Sequence, residues 1–154
     1  MTKLNVGDLA PTFELPNHDG TVVSSKKLRG TRYVLYFYPA DDTPGCTREA
    51  CQFNDELSGF NDLDVQVFGV SPDSPESHIA FRKKFALTFD LLSDPDQMTM
   101  AAFGAYGEKL NYGKTIVGVI RSTFVVGADG RIEHAWYSVK TDGHAGRVLK
   151  ALRS

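Results

Sequence analysis

At 154 residues the chain is most simply one domain, residues 1–154, long enough to bury a core without disulfide or metal staples. Its 42% hydrophobic and 23% charged content fits an ordinary globular protein, and a net charge of −2 with the signs interspersed offers no basic face for nucleic acid and no polybasic anchor for a membrane. No early apolar run looks like a signal peptide and no later one reaches the length of a membrane span, so a cytoplasmic protein with small molecules or proteins as partners is expected.

Residues 10–15 and 21–23 read as short strands around Asn17-His18-Asp19-Gly20, whose glycine and Asx residues suit a turn, giving an N-terminal β-hairpin. A polar turn from Ser25 to about Gly30 leads into residues 33–38, Tyr-Val-Leu-Tyr-Phe-Tyr, which lack polar alternation as a strand covered on both faces does. Thr43 followed by Pro44 marks a helix start, because a threonine oxygen can accept from a free backbone N–H while proline lacks the donor that would be orphaned there. The helix carries Cys46, Ala50, Phe53, Leu57 and Phe60 as one core-facing stripe and ends around Gly59. Residues 65–70 form the next buried strand; a β–α–β unit of this length implies a right-handed crossover between parallel strands, with Cys46 at the carboxyl end where ligands gather.

Ser74-Pro75-Glu76 starts another helix, its apolar side supplied by Ile79, Phe81, Phe85 and Leu87. Residues 90–94 give a short strand and 98–103 a brief helix, while 104–118, rich in glycine and tyrosine, reads as an irregular surface excursion. Residues 121–126 and 131–136 flank Gly127-Ala128-Asp129-Gly130 as an antiparallel hairpin, and a closing helix runs from about 143 to 152.

Both cysteines fall in one helix. In a reducing compartment they point to catalysis or sensing more than to a permanent disulfide, and the C-x-x-x-x-C spacing is neither that of a C-x-x-C reductase nor that of a common zinc site. A free cysteine is most often a small buried hydrophobe. In the first turn, however, unpaired N–H groups and the helix dipole favour a thiolate, which makes Cys46 a candidate nucleophile. Cys51 lies five residues on, a rotation of roughly 140° and a rise of about 7.5 Å, so the Cα atoms are about 8.6 Å apart while the helix is intact. A disulfide needs less than about 7 Å; if the two sulfurs react, the helix has to open.

Pro39, Thr43 and Cys46 match the Pro-x-x-x-Thr-x-x-Cys signature of peroxiredoxins, and Thr43-Pro-Gly-Cys46-Thr-x-Glu49-Ala50-Cys51 resembles the bacterioferritin comigratory protein, or peroxiredoxin Q, branch. Residues 69–73, His78, Phe81, 91–94 and Arg121-Ser-Thr-Phe124 look like that branch in the same order, so the resemblance covers nearly the whole chain. Asn54, where many relatives carry arginine, and Thr88, where a proline is common, depart from the pattern without touching the reacting groups. The resemblance implies a thioredoxin-like α/β sandwich, a mixed central sheet flanked by helices with the N-terminal β-hairpin. It also implies a thiol peroxidase acting on hydrogen peroxide and organic hydroperoxides. In that scheme Cys46 is peroxidatic and becomes a sulfenic acid, Cys51 resolves it as an intramolecular disulfide, and thioredoxin or a similar dithiol restores both. No cofactor is implied, and a monomer is expected with a dimer left open.

The supporting residues also have plainer readings. A cap explains Thr43, which the resemblance would also place on the bound peroxide; Pro39 ends a strand, and in the family shields the cysteine. Arg121 opens a strand as surface arginines do, but its fixed charge would favour the thiolate and polarise an O–O bond. Glu49 either complements the helix dipole or pairs with Arg121. His18, His78, His134 and His144 sit in four elements without ligand spacing, so no metal is expected. Two rival functions share these residues: a redox switch that lacks turnover, and a cysteine acyl hydrolase, for which no histidine has an evident place beside Cys46.

Overall fold

The computed structural model describes residues 3–153. Strands β1 (Glu14–Pro16) and β2 (Val22–Ser24) pair antiparallel around a turn in which the Asn17 side-chain oxygen accepts from the N–H groups of Asp19 and Thr21. The hairpin is shorter than expected, since residues 10–13 join no strand. β3 (Arg32–Phe37) is central in a five-stranded sheet of order β5 (Asp90–Ser93), β4 (Val65–Ser71), β3, β8 (Ser122–Val126), β9 (Ile132–Trp136). It runs parallel to β4 and antiparallel to β8. β5 extends the parallel side and β9 the antiparallel side, so the 121–136 hairpin forms as expected.

Val34, Tyr36 and Tyr38 enter one core and Tyr33, Leu35 and Phe37 the other, which is why this stretch carries no polar alternation. The first core is covered by α1 (Pro44–Asp55), α2 (Leu57–Asp62), α3 (Pro75–Phe85) and α5 (His144–Arg153). The second is covered by the N-terminal segment and α4 (Met98–Ala102). No helix among the described residues is long and apolar enough to cross a membrane.

Three expectations change. The cysteine helix does not run unbroken to Gly59: it breaks at Glu56 (φ −92°, ψ 2°) and resumes as α2. The bend lays Gly59 directly on α5, where an added Cβ would stand 2.6 Å from a Leu149 methyl and oblige that side chain to shift. In α3, Ile79 is 49% exposed while His78 is fully buried, because His78, Phe81 and Phe85 are the residues at helical spacing on the inner side. Ser74 does cap this helix, its Oγ accepting from the Ser77 N–H at 3.2 Å. Residues 104–118 are not irregular but form an antiparallel ribbon, β6 (Tyr106–Asn111) and β7 (Lys114–Val119). Its turn places Tyr112 (φ 53°) and Gly113 (φ 80°) both in the left-handed region, the backbone of a two-residue hairpin turn.

Candidate active site

The chain leaves the carboxyl end of β3 at Tyr38, passes the half-buried Pro39, and reaches Thr43 in extended conformation (φ −100°, ψ 155°) as the N-cap of α1. Pro44 takes the first helical position, which puts Cys46 third, still inside the first turn. Thr43 does not cap with its side chain. Asp42 turns the loop through a left-handed conformation (φ 57°), and the Thr43 hydroxyl donates to the Ala40 carbonyl at 3.0 Å. The Gly45 and Cys46 amides therefore receive no side-chain acceptor from the cap, and their N–H groups remain available beside the sulfur.

Cys46 is 1% exposed, and what reaches it comes from 75 residues away. Because β3 and β8 are antiparallel with Phe37 opposite Ser122, the residue preceding β8 lies at the mouth of α1. Arg121 sits there, one position outside the strand it was expected to open, and its guanidinium is shared: one NH2 group is 3.3 Å from Cys46 Sγ and the other donates to Glu49 Oε1 at 2.6 Å. Gly45 is the residue that lets it in, since a Cβ there would lie 3.3 Å from the nearer NH2 group.

Glu49 is on the buried side of α1, 1% exposed, with Oε2 lacking any hydrogen-bond partner among the described residues. Burial pushes its carboxyl up to about 7, with the Arg121 charge and hydrogen bond opposing the shift. Burial alone would weaken the Arg121 charge, but Glu49 and Cys46 more than offset it and hold the guanidinium protonated. Of the two readings for Glu49, the pairing with Arg121 is the one found.

Cys51 is half-buried on the same helix, and both cysteines are free thiols. Burial first, and then the Asp55 carboxylate, push its thiol up. It packs at the edge of the core that holds Phe53, Trp136 and His144. His144 is buried edge-on to Phe53 and Trp136, with Nε2 2.8 Å from Thr123 Oγ1; burial, then Arg147 and Arg121, push it down to about 4. Asn54 and Thr88, the two departures from the family pattern, meet: Asn54 Oδ1 accepts from the Thr88 N–H (2.9 Å) and hydroxyl (3.0 Å).

Sequence reasoning left Gly45 without a role and did not give Asp41 or His78 one. Asp41 Oδ2 lies 2.7 Å from His78 Nδ1, within the loop that leads to Thr43. A cavity of about 480 Å³, lined by Pro11, Lys26, Arg29, Tyr33 and Gly130 among others, lies toward the opposite end of β3 and includes none of the candidate residues.

A family model described as the AhpC/TSA family matches residues 6–135. A Mycobacterium tuberculosis protein named as a peroxiredoxin is 53% identical over 151 residues, 98% of this chain and 96% of its own. The structure of Xylella fastidiosa PrxQ, in a cysteine-to-serine mutant, superposes with a TM-score of 0.92 at 38% identity, over 99% of this chain and 98% of that one. The Xanthomonas campestris bacterioferritin comigratory protein, described for its alkyl peroxide reduction activity, superposes with a TM-score of 0.86 at 40% identity, over 92% of this chain and 90% of that one.

Proposed function

The chain belongs to the AhpC/TSA family, in its bacterioferritin comigratory protein or peroxiredoxin Q branch, and on that premise we propose that it reduces hydrogen peroxide and organic hydroperoxides at Cys46. The observation that carries this reading is the Arg121 guanidinium held between Cys46 Sγ and Glu49 Oε1. A fixed cation against the sulfur, at a helix start, faces the attacking thiolate and lies where negative charge grows as the O–O bond breaks.

The thiolate attacks one peroxide oxygen and forms an S–O bond, the O–O bond breaks, and the departing oxygen takes a proton to leave as water or alcohol. Arg121 and the free N–H groups of Gly45 and Cys46 receive the moving charge. The Thr43 hydroxyl gives its own proton to Ala40, so toward the site it offers lone pairs that accept from the peroxide O–H and orient it. Pro39 stands at the loop entrance. Cys51 then attacks the Cys46 sulfenic acid, releasing water and leaving an intramolecular disulfide, and thioredoxin or a similar dithiol reduces it by exchange. Two thiols on one helix support a resolution that needs one copy of the chain.

The test is peroxide-dependent NADPH consumption with thioredoxin and its reductase present. Sustained turnover by the wild type and none by Cys46→Ser is the expected result. Oxidation of one equivalent without turnover would favour the redox switch.

A further inference from the structure

We propose that the buried His78–Asp41 pair is a positioning element for the peroxide site, fixing loop 39–43 and with it the Thr43 hydroxyl relative to Cys46 Sγ, while touching neither. The proposal rests on the peroxidase reading and adds two residues to it.

Asp41 sits in the middle of that loop with a side chain only 4% exposed, and three side chains converge on its carboxylate. Tyr38 donates to Oδ1 at 2.6 Å, Ser77 to Oδ2 at 2.7 Å, and His78 Nδ1 reaches Oδ2 at 2.7 Å. The Asp41 N–H donates to Asp73 Oδ2 at 2.7 Å, an oxygen that also accepts from Ser71 at 2.8 Å. So dense a set is needed because the next residue, Asp42, occupies the left-handed region, a conformation that persists only where its surroundings enforce it. On the outside, among the described residues, the exposed Lys84–Asp42 pair holds the loop, and such pairs contribute little.

His78 is the directional member. Its side chain is fully buried, and its second nitrogen lies 2.9 Å from the Leu92 carbonyl. A carbonyl only accepts, and a carboxylate already taking two hydroxyl donors is an acceptor too, so each ring nitrogen faces an acceptor. The ring thus ties the loop, through α3, to β5. Both partners that set the Thr43 hydroxyl, Thr43 itself and the Ala40 carbonyl, belong to the loop so held. A displacement of about 1 Å in a positioning group can cost on the order of a hundredfold in rate.

Two substitutions of similar size separate the two nitrogens. In His78→Asn the amide N–H replaces Nδ1 and keeps Asp41; in His78→Gln it replaces Nε2 and keeps Leu92. Both variants are measured for the second-order rate with hydrogen peroxide and, as a control blind to peroxide geometry, for the rate of Cys46 alkylation by iodoacetamide. The expected result is a peroxide rate within about fivefold of wild type for His78→Asn and lower by about ten- to a hundredfold for His78→Gln, with alkylation within twofold in both. Equal losses in the two variants, or alkylation falling in parallel, would overturn the proposal. If either variant fails to fold by circular dichroism, Ser77→Ala replaces it, deleting a less buried donor to Asp41: a several-fold fall in the peroxide rate with unchanged alkylation supports the proposal, and an unchanged peroxide rate overturns it. A wild type that does not reduce peroxide would overturn the peroxidase reading, and this proposal with it.

Discussion

Glu49→Gln should change how stability depends on pH. The Glu49 carboxyl is pushed up to about 7 in the folded chain from its ordinary value of 4.5, because burial disfavours its charge more than Arg121 favours it. A group whose folded value is raised binds its proton more tightly in the folded state. Its contribution is therefore fully present below 4.5 and is lost as pH rises through about 7. At about 1.4 kcal/mol per pH unit, that span amounts to about 3 kcal/mol of stability lost by wild type between pH 4.5 and 8. Glutamine does not titrate, so the variant lacks this loss whatever constant offset it carries from the missing ion pair. Guanidinium unfolding of both proteins, kept reduced, at several pH values measures the difference directly. Its growth by about 3 kcal/mol in favour of Glu49→Gln as pH rises supports the assignment; parallel curves would refute it, and would mean that Arg121 keeps Glu49 ionised across the range.

The other expectations are compact. Cys46→Ser should leave the fold intact and abolish turnover, because serine fits the volume but does not ionise there; retention of a tenth of the activity would sink the assignment. Arg121→Lys loses a charge-assisted pair worth about 1.5–3 kcal/mol, so the second-order peroxide rate should drop about ten- to a hundredfold, measured by stopped flow; a wild-type rate would return Arg121 to the solvated surface. Disulfide formation should unwind α1 from Thr43 to about Phe53, seen as lost amide protection and as a change in fluorescence of Trp136, the single tryptophan, which packs on His144 and through it on Phe53. Equal protection in both redox forms would exclude that opening, while Cys51→Ser should stop at the sulfenic acid. Asp55→Asn removes a charge that holds the Cys51 thiol up, so resolution should quicken at neutral pH by stopped-flow fluorescence; an unchanged rate would show that helix opening alone limits the step.

What was legible in the chain was whatever leaves a local trace. Residues 33–38 announce a strand buried on both faces, and Thr43-Pro44 places Cys46 in a first turn without any coordinates. Contacts made across the fold leave no such trace. A glutamate three residues after the cysteine reads equally as a complement to the helix dipole or as a partner of Arg121, and the choice is made only when the fold brings in that arginine from 72 residues away. Hydrophobicity marks inner faces well only when the inner residue is apolar, so it selects Ile79 over His78. The β6–β7 ribbon was hidden for a different reason. Its side chains are largely exposed, so alternation never develops, and its turn puts tyrosine where asparagine or aspartate would give the signal.

The antiparallel register of β3 against β8 has a consequence during synthesis. Residues 43–55 emerge from the ribosome long before residue 121, so a nascent chain can wind α1 and expose both sulfurs while the guanidinium proposed to activate one of them does not yet exist. With Arg121 in that role, peroxide reactivity should switch on only when β8 docks and Phe37 meets Ser122. A ribosome-stalled chain ending before residue 120 should react with peroxide no faster than an ordinary thiol, so the unfinished protein is spared oxidation by the substrate it is built to consume.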